Sequence, residues 1–276
     1  MNQAGIGLRA PYVQPLLEHM PALGFLEAHS ENYFGDGPAR RQLLTLAKHY
    51  PISLHGVGLS LGRADGLDPE HLQHLKALVD EVRPVLVSEH LAWSGYRHRH
   101  VPDLLPVPYT IEALQVFCDH VERMQEALDR AILVENPSNY LAFQRIDMDE
   151  ADFLNELARR TGCRILLDVN NLYVSSQNIG LNAHDYLDRL KGDYVGQFHL
   201  AGFVEQVRDE DRVLIDSHNQ PVAEKVWDLY LECLRRFGRR PTLIEWDSDF
   251  PSLDTLVNQA DQATRWMREE VADAVV

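Results

Sequence analysis

The sequence predicts an α/β protein of one domain, a closed (β/α)8 TIM barrel, and three observations carry that expectation. Eight short β-type runs alternate with longer amphipathic stretches along the whole chain. Strands separated by helices pair in parallel through crossovers, and eight such units in roughly 250 residues suit a closed barrel. A doubly wound open sheet is the alternative, but the first run, Ile6-Gly7-Leu8-Arg9, lacks the GxGxxG turn that a dinucleotide-binding sheet shows early.

In chain order the runs are Ile6 to Arg9, Phe25 to His29, Ile52 to Val57, Val85 to His90, Ile132 to Glu135, Ile165 to Val169, Val195 to Leu200 and Thr242 to Trp246. Helical spacing appears between them, with Leu72, Leu75, Leu78 and Val79 in Pro69 to Val82, and Ile111, Leu114, Phe117, Val121 and Met124 in Thr110 to Leu128. Val226 to Phe237 repeats the pattern. Start signals precede several helices: Asp68-Pro69 before the third, Pro108-Tyr109-Thr110 before the fourth and Asn182 before the sixth. Two long insertions, Ala92 to Val107 and Gly202 to Gln220, read as loops, and loops of that length are commonly functional. No repeat or linker divides residues 1–276, and 271–276 are expected to fray.

Composition narrows the function. Of 276 residues 45% are hydrophobic, enough for a substantial core. Acidic residues number 42 against 26 basic ones, a formal charge of −16 that repels phosphate backbones and anionic lipid, so neither nucleic acid nor membrane is expected as a partner. Cys118, Cys163 and Cys233 lie far apart in apolar surroundings, as buried free thiols do in a reducing compartment. With no signal-like start and no run of about 18 apolar residues, the chain reads as cytoplasmic.

In such a barrel, chemistry gathers where the strands end, because the loops leaving their C-terminal edges converge over one mouth. The strand ends and the loop after the seventh run supply four histidines, His55, His90, His199 and His218, and four carboxylates, Glu135, Asp168, Asp216 and Glu245. Glu27, His29, Glu31 and Asn32 end the second run, and Asn170 with Asn171 follow the sixth. A single strand-end histidine or aspartate is ordinarily a hydrogen-bonded or helix-capping residue. Eight such side chains at one mouth are different, since ionised carboxylates there need counter-charge, no strand ends in lysine, and Arg9 is the only arginine. Bound metal answers that need. Eight donors exceed one octahedral ion and suit two or three, with mixed N/O ligation and no thiolate allowing iron, manganese or zinc. His55, His90 and Glu135 form a two-histidine-one-carboxylate set, and Glu135 or Asp216 can bridge ions.

Five ordered motifs add a resemblance. Asp103-Leu-Leu-Pro-Val-Pro-Tyr-Thr110, Glu135-Asn-Pro-Ser-Asn-Tyr140, Leu167-Asp-Val-Asn-Asn171, His199-Leu-Ala-Gly202 and Ile215-Asp-Ser-His218 with Pro221-Val222 and Val226-Trp227 look like the multinuclear non-haem iron-dependent oxidative enzymes. That family includes the catalytic subunit of methanobactin biosynthesis and was long a domain of unknown function. The resemblance spans nearly the whole chain and implies a TIM barrel holding two or three iron ions of mixed Fe(II)/Fe(III) valence. With O2 as co-substrate, such an enzyme acts on a cysteine or another residue of a ribosomally made precursor peptide, commonly beside a peptide-presenting partner protein. Carried over position by position, the ligands fall on His55, His90, Glu135, Asp168, His199, Asp216, His218 and Glu245, with Asn136 and Asn171 added. Glu135, Asp168 and Asp216 are the expected catalytic carboxylates. Glu31, Asn32, Tyr33 and the basic loop Arg97-His98-Arg99-His100 are the candidates for peptide contact. The chain departs from the family in having Phe203 after His-Leu-Ala-Gly and Ile179 within Asn178-Ile179-Gly180, where histidines are frequent, which implies a weakened third iron position. Two rivals stand beside this reading: a divalent-metal sugar isomerase or endonuclease on the same xylose-isomerase-like barrel, and a non-enzymatic metal-binding protein.

Overall fold

The computed structural model describes residues 3–96, 99–208 and 211–273. In chain order the strands are β1 (Gly5–Gly7), β2 (Leu26–His29), β3 (Ile52–His55), β4 (Leu86–His90), β5 (Trp93–Tyr96), β6 (Arg99–Leu105), β7 (Leu133–Glu135), β8 (Arg164–Asp168), β9 (Val195–Leu200), β10 (Val204–Arg208), β11 (Asp211–Ile215) and β12 (Thr242–Ile244). The helices are α1 (Val13–His19), α2 (Pro38–Leu46), α3 (Pro69–Val82), α4 (Ile111–Leu128), α5 (Glu150–Thr161), α6 (Val169–Ile179), α7 (Ala183–Arg189), α8 (Glu224–Phe237) and α9 (Leu253–Asp273).

The expected closed barrel is present, its eight parallel strands running β1-β2-β3-β4-β7-β8-β9-β12 and back to β1. Ile6 closes the ring, aligned with Ile244 on one side and Leu26 on the other. Period-two alternation sorts the strand side chains. Leu26, Ala28, Leu54, Val87, Val134, Ile165 and Phe198 join the buried apolar layer under the helices. Glu27, Ser53 and Gln197 meet across the lumen through hydrogen bonds of 2.7–2.8 Å. The polar lumen therefore begins one layer below the mouth.

The capping signals act as read. Asp68 accepts hydrogen bonds from the backbone of Glu70 and His71, Thr110 from Ala113, and Asn182 from His184 and Asp185. The sixth crossover is two helices rather than one, and Asn182 starts the second of them, α7. No loop separates β8 from α6, because Asp168 both ends the strand and caps the helix by accepting from the Asn171 N–H. That junction places Asn170 and Asn171 on the helix's first turn.

The two insertions read as loops are antiparallel hairpins, β5 with β6 and β10 with β11. Val101, Val207 and Val213 are exposed, and an isolated buried side chain such as Leu214 imprints no strand alternation on the sequence. Helix α9 runs to Asp273, into the stretch expected to fray.

Candidate metal centre

Six of the eight expected ligands meet in two groups that share Glu135. His55, His90 and Glu135 form one; Glu135, Asp168, His199 and Glu245 form the other, and within each the donor atoms lie within 4.8 Å of one another. All six side chains are buried. His55 Nε2 stands 3.2 Å and His90 Nε2 3.4 Å from Glu135 Oε2. His90 Nδ1 is 3.0 Å from the Gly56 carbonyl, which can only accept, so the ring proton is on Nδ1 and the Nε2 lone pair faces Glu135. His199 Nδ1 lies 3.0 Å from Glu245 Oε2 and 3.8 Å from Glu135 Oε1.

Asp216 and His218 follow β11 as a pair, His218 Nε2 sitting 2.6 Å from Asp216 Oδ1 and 4.0 Å from Asp168 Oδ2. Three features fix them. Asn170 Nδ2 donates to Asp216 Oδ1, the Asp216 N–H donates to the Tyr140 hydroxyl, and the Asp247 N–H donates to the His218 carbonyl. His218 adopts a φ of 42°, left-handed backbone that an L side chain holds only when its surroundings impose it.

A third group, His29, Glu245 and Asp247, was outside the sequence reading, which named His29 only as a strand end and passed over Asp247. Arg9 already fills it: Nη2 is 2.5 Å from Asp247 Oδ1, 2.9 Å from His29 Nε2 and 3.3 Å from Glu245 Oε1. The guanidinium is the counter-ion there. The sequence signal was available, since Asp247 lies two residues beyond Glu245 and Arg9 ends the neighbouring first run.

The two remaining groups suit cations on their own electrostatics. Glu135 Oε2, Asp168 Oδ2 and Asn171 Oδ1 are buried and receive no hydrogen bond. Burial pushes the Glu135 carboxyl well above the usual carboxylate range and that of Asp168 up to about 7, with nearby carboxylates adding to both. Burial likewise holds His55 well below the ordinary histidine value and His90 down to about 4. Burial also opposes a charged His199, yet Glu27, Glu245 and Glu135 together raise it well above that value. Without added positive charge Glu135 and Asp168 are held toward their protonated forms, whereas against its burial Glu245 is held well below the usual carboxylate range by His199 and His218. Divalent ions would replace those protons.

The remaining expected site residues take varied places in the fold. Asn136 commits its whole amide to the Asp168 backbone, donating to its carbonyl at 3.0 Å and accepting from its N–H at 2.8 Å, so it braces β8 instead of facing an ion. Asn171 keeps Oδ1 free, its Nδ2 donating to the Asn136 carbonyl at 3.1 Å. Glu31 Oε1 accepts from the N–H groups of Val57 and Gly58 and sits 3.2 Å from His71 Nε2, tying the segment after β2 to that after β3. Tyr33 belongs to the buried core. Asn32 and Arg99 are exposed and, like Glu31 and Tyr33, do not line the cavity over the donors. Arg97 and His98 lie outside the described residues. Phe203 stacks on Tyr173, ring centroids 5.3 Å apart, and does not border that cavity either.

The cavity measures about 490 Å3. His55, His90, Glu135, Asn171, Asp216, His218 and Glu245 form its charged floor; Val101 and Leu104 of β6 and Tyr140 after β7 wall its entrance. The three cysteines are buried elsewhere in the fold and offer no thiolate here.

The sequence pattern of the RiPP precursor modification enzymes MbnB/TglH/ChrH matches residues 3–268. A UPF0276 protein of Vibrio vulnificus (strain YJ016) is 49% identical over 265 residues, spanning 96% of this chain and 91% of its own. Among solved structures, D-psicose 3-epimerase of Clostridium cellulolyticum H10 with D-tagatose superposes with a TM-score of 0.61 at 12% identity, covering 97% of this chain and 98% of the other. A xylose isomerase-like TIM barrel protein of Mycobacterium smegmatis in complex with magnesium gives 0.59 at 10% identity, covering 97% of each chain. At such identities the structural likeness is one of fold, a xylose-isomerase-like barrel.

Proposed function

Because the chain belongs to the MbnB/TglH/ChrH family of RiPP precursor modification enzymes, a peptide-modifying family, we propose that it is an O2-dependent oxidase holding two or three iron ions of mixed valence. Its substrate is a ribosomally made precursor peptide, the modified residue a cysteine, and a partner protein presents the peptide.

The observation that carries the reading is the sharing of Glu135 between two buried groups of nitrogen and oxygen donors. His55 and His90 would hold one ion with Glu135; Asp168, His199 and Glu245 would hold the other, with Asn171 Oδ1 in reserve. Such a donor set suits iron, and bound iron supplies the redox and Lewis-acid chemistry that lets O2 oxidise a peptide and stabilises a substrate thiolate. The protein's own groups do the rest. Glu135, common to both groups, would serve each ion. Asp168 is fixed by its cap to α6. Asp216, paired with His218 Nε2 at the cavity wall, receives the proton that a thiol sheds on entering.

The rim favours a peptide over a free sugar. Ten exposed large apolar side chains, Tyr96, Val101, Leu104, Tyr140, Leu141, Phe143, Ile146, Val207, Val213 and Phe250, lie on segments that leave the C-terminal ends of the barrel strands. An apolar collar above a charged floor suits a chain whose flanking side chains bury at the rim while one residue reaches the donors. Among the described residues no helix is long and apolar enough to cross a membrane.

Elemental analysis and Mössbauer spectroscopy of protein purified anaerobically from iron-supplemented cells test the proposal. Two to three irons per chain, partly ferrous, are expected. Stoichiometric zinc, manganese or magnesium without iron, or O2-independent turnover of a pentose, would overturn it in favour of an isomerase or hydrolase.

A further inference from the structure

We propose that Arg9 sets the number of metal ions at the barrel mouth: its guanidinium stands where an ion would otherwise sit in the third donor group, His29, Glu245 and Asp247, and that group takes a divalent cation once the arginine is removed. The proposal rests on the metal-centre reading only for the count it starts from.

The three donors converge on one atom. Arg9 Nη2 lies 2.5 Å from Asp247 Oδ1, 2.9 Å from His29 Nε2 and 3.3 Å from Glu245 Oε1. An arginine nitrogen only donates, so His29 turns the lone pair of Nε2 toward it, and every contact comes from an acceptor. A terminal guanidinium nitrogen has two hydrogens to offer, fewer than the acceptors gathered on it. A metal ion has no such limit. The donors are also spaced for one: His29 Nε2 is 3.7 Å from Glu245 Oε1 and 4.0 Å from Asp247 Oδ1, and two ligands bound at about 2.1 Å can stand up to about 4.2 Å apart.

The rest of the side chain keeps that nitrogen in place. Nε reaches Asp247 Oδ1 at 3.2 Å and Nη1 the Leu8 carbonyl at 3.3 Å. The Arg9 backbone is extended, with φ −118° and ψ 154°, so its side chain leaves on the same face as residue 7. A Cβ on Gly7 would come 3.0 Å from Nη1 and 3.2 Å from Cζ, and the missing side chain is the bed on which the guanidinium lies. Arg9 is 7% exposed and does not line the cavity, whereas His29, Glu245 and Asp247 all border it. Ions therefore approach these donors from the cavity while positive charge already meets them from behind. A guanidinium stays protonated at any working pH and no chelator removes it. The group keeps its own cation whatever the metal supply, and adds no ion to those held around Glu135.

Ferrous iron alone is the probe. Wild-type protein, Arg9→Ala, His29→Ala and the double variant are loaded anaerobically and freed of unbound metal, iron per chain is counted by elemental analysis, and the ferrous sites are resolved by Mössbauer spectroscopy. Arg9→Ala is expected to hold one more iron per chain than wild type and to show a new quadrupole doublet. The double variant is expected to lose both gains, and His29→Ala alone to keep the wild-type count. An Arg9→Ala count no higher than that of wild type would overturn the proposal and, where wild type holds its irons, leave the metal centre standing. Loss of an iron from His29→Ala would overturn it as well, by showing that the group already holds an ion beside Arg9. If wild type binds no iron while Arg9→Ala binds one that the double variant lacks, the metal-centre reading falls and the role of Arg9 stands. Should Arg9→Ala not fold, Arg9→Met, which keeps an apolar stem without the charge, is expected to give the same gain, and an unchanged count would overturn the proposal.

Discussion

Replacing Asn136 by alanine separates a brace from a ligand, because the two roles have opposite consequences in metal-free protein. The side chain satisfies both backbone groups of Asp168, which is fully buried, through bonds of 2.8 and 3.0 Å. Alanine leaves that N–H and that carbonyl without partners, and each unsatisfied buried group costs about 1–3 kcal/mol. The sum is about 2–6 kcal/mol, and a chain of this size loses roughly 2–4 °C of Tm per kcal/mol, so a fall of roughly 5–20 °C is expected. The assay is thermal and urea unfolding of protein stripped of metal with a chelator. If Asn136 were a ligand, its loss from the empty donor cluster would cost little. A metal-free variant that melts within about 2 °C of wild type while binding less iron would refute the argument.

Glu135→Ala removes the only side chain common to both donor groups, and elemental analysis should find at most one iron per chain; two retained irons would contradict the bridging role. Phe203→His is expected to leave iron content unchanged, since residue 203 faces Tyr173 and not the cavity, and a gain of one iron per chain would show that the histidine reaches the donors. Glu150, away from the donors, is raised by burial although Tyr109, Tyr186 and Asn139 donate to it. Its folded form therefore binds a proton more readily than its unfolded form, and its contribution to stability falls as pH rises above the ordinary carboxylate range. Urea unfolding across that range should show wild type losing stability relative to Glu150→Gln with rising pH; a gain would reverse the assignment.

The barrel was legible because its signal is repetitive: each outward strand face is apolar, each crossover helix carries its own period, and caps such as Asp68 and Thr110 mark their starts. The gathering of the candidate donors was legible for the same reason, since a TIM barrel converts the position of a residue at a strand end into a place at one mouth. What escaped depends on direction. Nothing in the string Glu135-Asn136 tells that one side chain faces the lumen and the next grips a neighbouring backbone. Arg9 was weighed as a total charge against four carboxylates, whereas in the fold it meets Glu245 and Asp247 alone and closes their group. Glu31 and Tyr33 looked accessible beside the second strand end, yet each is tied inward by residues distant in sequence. The hairpins escaped because strands with mostly exposed apolar residues and only isolated buried ones, such as Leu214, leave little alternation to read.

The two carboxylates at the heart of the site differ in freedom. Asp168 holds the α6 N-terminus with Oδ1, 2.7 Å from the Asn171 nitrogen, so only Oδ2 is left to the donor group and the carboxylate cannot turn without uncapping the helix. The Glu135 carboxylate has no such anchor; among the described residues the hydrogen bond to it is a long one of 3.5 Å from Asn171. One is a fixed jaw and the other a hinged one. Any rearrangement of the donor set on metal binding would therefore fall to Glu135 rather than to Asp168, which is tied to α6.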